Sequence, residues 1–361
     1  MFDVRKDFGA KGDGNADDTA ALLAAVEAAR RAGHGGIAYL PSGDYAVSKT
    51  IEITGRDYSF GGSGIHSRII WRGPKDGVTV HVSDPFNVSV ENLNIGEAGD
   101  QPNSADILQT GTLPSRINYE RVWLFGMYQK QPGRKGLLCR DLPSGTAIVG
   151  RHVTGNLRFS NCGKASILFN TSFEGAIEVE GKQDGPRDGL LGFMTRLATI
   201  EKFGLYLRDS QNIVISDYYV EQSDQMLSFA GNRGDAPGRA TIQMAKSHTY
   251  KGPVVVSQDY AGRISLGPTM PYPGGVADAL YSFQGSNPMD LVFMGCQAYG
   301  QKPRFEFSPA IQKVFLENSG EGMGPNEIPT GGLGAVAGAL DDLRRLGELD
   351  LKLNYPGVRM H

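Results

Sequence analysis

Short alternating segments that return at a nearly constant step constrain this chain more than any other feature. Asn87-Val-Ser-Val-Glu-Asn92, Arg116-Ile-Asn-Tyr-Glu-Arg121, Asn156-Leu-Arg-Phe-Ser-Asn161 and Asn212-Ile-Val-Ile-Ser-Asp217 share a polar start, an apolar/polar alternation and a polar close. Their starts lie 29, 40 and 56 residues apart, the last close to two steps of 28. Arg239-Ala-Thr-Ile, Arg263-Ile-Ser-Leu, Asp290-Leu-Val-Phe and Lys313-Val-Phe-Leu continue the series at steps of 27, 24, 27 and 23. Such steps suit one coil of a parallel β-helix, in which three short strands and three turns bring the chain back above itself. Alternation then points apolar residues inward, where they stack coil upon coil, and leaves the outward residues free to bind. A sandwich or propeller also alternates, but it would show tight hairpin signals, and few lie between these segments. The step of 40 is longer than one coil, so an insertion is expected near Gly126 to Gly145. Gly181 to Gly189 and Gly267 to Gly275 are further candidates.

The first residues read differently. Asp7 to Ala29 passes from glycine punctuation at Gly9, Gly12 and Gly14 to a helix with one apolar face, built from Ala20, Leu22, Leu23, Ala25, Val26 and Ala29. Asp17 and Asp18 are placed to accept hydrogen bonds from the open N–H groups of the first turn. Gly33, Gly35 and Gly36 end the helix, and Ile37-Ala-Tyr-Leu40 opens the strand region at a Pro41-Ser-Gly43 turn.

The run FDVRKDFGAKGDGNADDTAALLAAVEAA, followed by GGIAYLPSGDYAV and later GGSGIHSRIIWRG, resembles the N-terminal signature of the pectate-lyase-like right-handed β-helix superfamily. That superfamily also holds glycoside hydrolases and phage tailspikes. The resemblance covers roughly the first seventy residues directly. It implies an all-β, single-stranded right-handed parallel β-helix, with an N-terminal capping helix whose aspartates are structural. The expected layout is one domain, with a cap over 1–36, coils over 37–330 and a C-terminal cap or tail over 331–361. A C-terminal helix is expected at Ala339 to Leu346, where leucines stand at 340, 343 and 346.

Composition narrows the function classes. Forty-nine glycines favour a turn-rich β architecture, and a net charge of −3 gives no basic footprint for nucleic acid. No apolar run has membrane-spanning length. Met1-Phe2-Asp3 begins without the regions of a signal peptide, so the extracellular or periplasmic site implied by the resemblance leaves a separate leader open. Cys139, Cys162 and Cys296 lack metal-site spacing and read as buried thiols. Trp71 and Trp123 read as core or as sugar platforms, with core preferred, and His34 and His66 as structural.

A stack of coils presents a long outer wall on which a polysaccharide or oligosaccharide can lie. Hydrolysis needs two carboxyl groups flanking the bond; β-elimination on a uronic acid needs a base and a neutralising cation, calcium or arginine. The densest supply is Asp217, Glu221 and Asp224, expected to be catalytic, with Tyr218 and Tyr219 as sugar platforms. Asp184, Arg187 and Asp188 on the coil before, and Arg233 and His248 on the coil after, are expected to bind substrate. A second group is Glu91, Glu120 and Arg121, whose glutamates hold the same position in consecutive repeats. The expectation is a carbohydrate-active enzyme, hydrolysis ahead of lyase chemistry, without a cofactor unless calcium serves a lyase. A glycan-binding, tailspike-like module is the alternative, and homo-oligomerisation stays open.

Overall fold

The computed structural model describes residues 1–97, 104–124, 135–162, 165–169, 172–173, 177–180, 190–196, 203–208, 213–220, 225–231, 238–242, 246–247, 255–267, 270–271, 280–294 and 304–317. The chain divides into two compact units, Met1–Glu201 and Lys202–His361.

In the first unit the strands pair in parallel along three ladders, giving an all-β, right-handed-type parallel β-solenoid. The first ladder runs through Phe2–Asp3, Gly36–Leu40, Tyr58–Gly62, the middle of Val78–Glu97, Arg116–Leu124, Ala147–Thr154 and Ser166–Phe169. A second takes Asp13–Asp17, Gly43–Val47, Ser67–Trp71 and the ends of the long strands. The third takes Ile51–Arg56, the start of Val78–Glu97, Ala105–Thr110, Lys135–Arg140, Leu157–Ser160 and Ile177–Glu180.

Inward residues fall into columns, as alternation requires. Phe60, Val90, Tyr119, Gly150 and Phe169 stand one above another in the first ladder. The side chains in this column are buried, each contributing about 1.5–3 kcal/mol if apolar. Gly150 is required by its neighbour, because a Cβ there would sit 2.2 Å from the Phe169 ring. Polar groups also enter this core. Gln109 is fully buried and its Oε1 accepts the Tyr119 hydroxyl at 2.8 Å, with the Cys139 thiol nearby at 3.8 Å.

Corners are made by non-glycine residues in the left-handed region. Asn92, Arg121 and His152, with φ of 54°, 51° and 53°, turn the chain from the first ladder to the second. They lie in successive coils, since Glu91, Glu120 and Arg151 just before them pair in register. At another corner Asp57 (φ 61°) accepts from Asn87 Nδ2 (φ 58°) at 2.9 Å, and Asp141 accepts from Asn161 Nδ2 at 2.6 Å. Asn and Asp tolerate this conformation because their short polar side chains bond locally.

The helix Thr19–Ala32 buries Leu22, Ala25, Val26 and Ala29 against the strands Gly36–Leu40 and Ile51–Arg56. The expectation for its aspartates is corrected in detail. Asp18 stands at the N-cap without a side-chain cap bond; instead it is buried and accepts from Lys11 N at 2.6 Å and Gly12 N at 2.9 Å. It holds the glycine loop, whose backbone donors have no other role in a strand or helix, to the start of the helix. Asp17 does bond the first turn, at Thr19, and also accepts Ser48 Oγ at 2.6 Å, which draws its carboxyl down to about 2.

In the second unit Ile213–Val220, Gly238–Ile242, Gly262–Leu266, Met289–Met294 and Ile311–Glu317 form one parallel ladder. Phe203–Arg208, Gln225–Ala230, Val255–Gln258, Leu280–Gln284 and Arg304–Phe307 form another. Phe283 stacks on Phe307 at 6.0 Å and meets Phe293 edge-on at 6.1 Å, so this core is aromatic.

One expectation about insertions is corrected. Gly126 to Gly145 contains the strand Lys135–Arg140, which pairs with Leu157–Ser160 on the third ladder. Arg116 pairs with Ala147, whereas Asn156 precedes a strand of a different ladder, so the step of 40 compared positions that never stack. All three ladders face one core and carry the same alternation, which is why the two were confused. Within Gly267 to Gly275, Met270–Pro271 is a strand paired with Lys246–Ser247, and residues 268–269 and 272–275 lie outside the described residues. The segment Gly181 to Gly189, the C-terminal helix at 339–346 and Cys296 lie outside the described residues. Cys139 and Cys162 are buried free thiols, and burial pushes both up, Cys162 to about 12. No described helix is long and apolar enough to cross a membrane.

Candidate functional site

The described residues bring one expected group together. Glu91 and Glu120 are registered partners on consecutive coils of the first ladder, half-buried and pointing outward between core residues such as Val90 and Tyr119. The strand spacing separates their backbones by about 4.8 Å. Gly61 precedes Glu91 in the same column and makes room for it, since a Cβ there would lie 2.8 Å from Glu91 Cγ. Arg151 follows Glu120 on the next coil, and Arg121 Nη2 stands 3.5 Å from Glu120 Oε1. The short 3-10 turn Gly64–His66 leans on both strands and gives the face a wall. Tyr39, one coil before Gly61, is tied to that turn by a 2.6 Å bond between its hydroxyl and Ser63 Oγ.

The same face extends along the strands. Ser59, Ser89 and Asn118 form the adjacent outward column, all capable of bonding sugar hydroxyls. At its edge Arg56, Phe86 and Arg116 stack in register, with the guanidinium carbons 4.9 Å and 5.5 Å from the Phe86 ring centre. These contacts hold two cations in place on an exposed edge. Two carboxylates one coil apart, flanked by cations and hydroxyl-bonding groups, can bind a saccharide and exchange protons with it.

The other expected site is not assembled by the described residues. Asp217, Tyr218 and Tyr219 lie on the strand Ile213–Val220, where Tyr219 is registered with Lys246. In the repeat alignment Asp217 takes the place of Asn92 and Arg121, the corner position of the first unit, while Ser216 takes that of Glu91. Glu221, Asp224, Asp184, Arg187, Asp188, Arg233 and His248 lie outside the described residues. Trp71 is core, as expected, with its Nε1 donating to Pro74 O at 3.1 Å. Trp123 is only half-buried, on the outward column Arg68, Asn94, Trp123 and Thr154 of the second ladder. That corrects its reading as core. Among the described residues no group of three or more His, Cys, Asp or Glu is placed to hold a metal ion.

Sequence reasoning missed a polar chain on the third ladder, Glu52, His81 and Thr110, whose members touch across successive coils. The interval of 29 residues from Glu52 to His81, and again from His81 to Thr110, was the available signal.

Comparison with known proteins bears on the fold and the start of the chain. Residues 1–96 match the family model described as rhamnogalacturonase A/epimerase, pectate lyase-like. Alginate lyase 7 of Azotobacter vinelandii is 67% identical over 43 residues, covering 12% of this chain and 5% of that protein. Mannuronan C5-epimerase AlgE6 of the same organism is 34% identical over 136 residues, covering 36% of this chain and 14% of that protein. The chain thus matches only a small part of these curated relatives' length.

Among solved structures, the AlgE6 A-module aligns with a TM-score of 0.52 at 15% identity, covering 88% of this chain and 98% of that one. The enzymatically active domain of bacteriophage CBA120 tailspike protein 2 gives 0.55 at 12% identity, covering 81% and 47%. The catalytic unit of a GH87 α-1,3-glucanase from Streptomyces thermodiastaticus gives 0.52 at 12% identity, covering 91% and 69%. Such identities speak for the fold alone. Over residues 1–96 the chain therefore resembles the pectate-lyase-like, rhamnogalacturonase A/epimerase type, and its described ladders are those of a parallel β-solenoid.

Proposed function

We propose that this protein is a carbohydrate-active enzyme that binds a polysaccharide or oligosaccharide on the outer face of the first ladder and cleaves its glycosidic bonds. The observation that carries the reading is the in-register pair Glu91 and Glu120. Retaining glycosidases hold two carboxyl groups about 5–5.5 Å apart, a separation within reach of side chains on registered positions whose backbones stand about 4.8 Å from each other. Glu120, paired with Arg121, takes the role of nucleophile, and Glu91 that of general acid. Support for saccharide chemistry comes from the curated relatives, whose names are those of an alginate lyase and a mannuronan C5-epimerase. An extracellular or periplasmic location is part of the same proposal.

A second reading has its own observation. Arg116, Arg121 and Arg151 share the face with the glutamates, and a guanidinium is what neutralises a uronate carboxylate during β-elimination or epimerisation. Elimination creates an unsaturated uronate that absorbs in the ultraviolet; hydrolysis and epimerisation do not. The test is turnover of neutral and uronate glycans, followed as reducing ends, ultraviolet absorbance and anomeric configuration. Reducing ends without absorbance, with retention at the anomeric carbon, support the first reading; absorbance, or inversion at uronate C5 without new reducing ends, selects the second. Binding with none of these changes leaves the tailspike-like glycan-binding module.

A further inference from the structure

The third ladder carries a constellation that the carboxylate pair does not use. His81 Nδ1 lies 2.8 Å from Glu52 Oε2, and His81 Nε2 lies 2.9 Å from Thr110 Oγ1. A carboxylate accepts only, so in the neutral imidazole Nδ1 carries the hydrogen towards Glu52. The lone pair of Nε2 then faces the Thr110 hydroxyl and accepts its hydrogen bond. This is the order of contacts that activates a hydroxyl nucleophile: acid group, imidazole, hydroxyl.

The register explains how a solenoid builds it. Glu52 and His81 are direct partners on consecutive coils, and Thr110 belongs to the next coil, opposite Ser83. Each side chain keeps outward access, with His81 27% and Glu52 51% exposed. Thr110 is held from behind. Asp84, in the left-handed region at φ 46°, accepts Thr112 N at 2.6 Å and Leu113 N at 2.8 Å, which fixes the turn directly after Thr110. Gly111 between them has to be glycine, since a Cβ would fall 2.7 Å from Asp84 Oδ1. Below His81 in the same column are Leu108 and then Leu138, both half-buried and facing outward. They form an apolar step on the same outward face as the Thr110 hydroxyl.

We propose that Glu52, His81 and Thr110 form an acyl-transfer site that hydrolyses short-chain O-acyl esters, such as those carried on saccharide hydroxyls. Thr110 Oγ1 attacks the ester carbonyl carbon while its proton passes to His81 Nε2. The bond from that carbon to the alcohol oxygen breaks, and the departing alkoxide takes the proton from His81. Water, deprotonated by His81, then attacks the acyl-threonine; the carboxylic acid leaves and Thr110 recovers its proton. Glu52 is a positioning residue that holds the imidazole's tautomer and orientation. The site stands apart from the glycosidic-bond reading and does not depend on it.

The test uses the full chain with p-nitrophenyl acetate and with an O-acetylated polysaccharide, reading nitrophenolate and acetate. His81→Ala and Thr110→Val are expected to lower turnover by about 10²–10⁴-fold, the range that acid–base catalysis supplies. Thr110→Ser keeps it, and Glu52→Gln lowers kcat with KM unchanged. Acid quench during turnover leaves one acetyl group on the peptide carrying Thr110, found by mass spectrometry. Thr110→Val and Thr110→Ser differ little in shape from the native residue, and melting curves of both check that the fold is intact. Hydrolysis no faster in the wild type than in His81→Ala, an undiminished rate in folded Thr110→Val, or an acetyl group on other residues alone would each overturn the proposal.

Discussion

At the scale of single residues, Asp17 links sequence, local structure and pH response. Hydrogen bonds from Ser48 and Thr19 favour its carboxylate and bring it from 3.8 to about 2. A folded value below the unfolded one means that this stabilisation is complete above about pH 4. It is lost as pH falls through the folded value near 2. Because Asp17 is largely exposed, the effect is modest. We therefore expect Asp17→Asn to melt below the wild type at pH 6, with the gap closing towards pH 2; a gap independent of pH would contradict this origin. The thiols make a second prediction. Cys139 and Cys162 are buried and pushed up, so few thiolates form at neutral pH. Peptides carrying them should stay unlabelled by a thiol reagent in the native protein and label on denaturation. Native labelling of either would place it elsewhere.

Elements join through side chains of matched size, and the inward columns show how. Tyr119, Gly150 and Phe169 succeed one another in one column, and the glycine leaves the space that the Phe169 ring occupies. Phe159 meets that ring edge-on at 5.7 Å, so it has little freedom to move aside. Gly150→Ala should destabilise by about 1–3 kcal/mol through overpacking, measured by urea unfolding. Combined with Phe169→Leu, part of that loss should be recovered; strict additivity of the two changes would contradict a shared space.

Register was legible in the sequence wherever polar residues flanked an alternating run within one ladder. Arg239, Arg263, Asp290 and Lys313 are true partners, and so are Glu91 and Glu120. It failed between Arg116 and Asn156, because alternation reports which side faces the core and is silent about which ladder a strand joins. The corner residues were visible as recurring Asn, Asp and Arg, but their role needed the backbone angle to be seen. Glu52 and His81 escaped notice since their strands carry no shared flanking pattern, and only the coil brings them within hydrogen-bonding distance.

For the whole molecule, the account is that coils of a parallel solenoid turn a repeated outward position into a site. Glu91 and Glu120 owe their proximity to a one-coil repeat, and the cations and hydroxyl-bonding residues around them owe theirs to the same register. The preferred sequence candidates, Asp217, Glu221 and Asp224, rested on local density of acids, which measures polarity of a turn as much as chemistry. The most direct measurement is glycan turnover by Glu91→Gln and Glu120→Gln beside Asp217→Asn and Glu221→Gln, each checked for an intact fold. The account predicts a loss of about 10²-fold or more in the first two. Full activity in Glu91→Gln and Glu120→Gln, with loss in Asp217→Asn or Glu221→Gln, would contradict it.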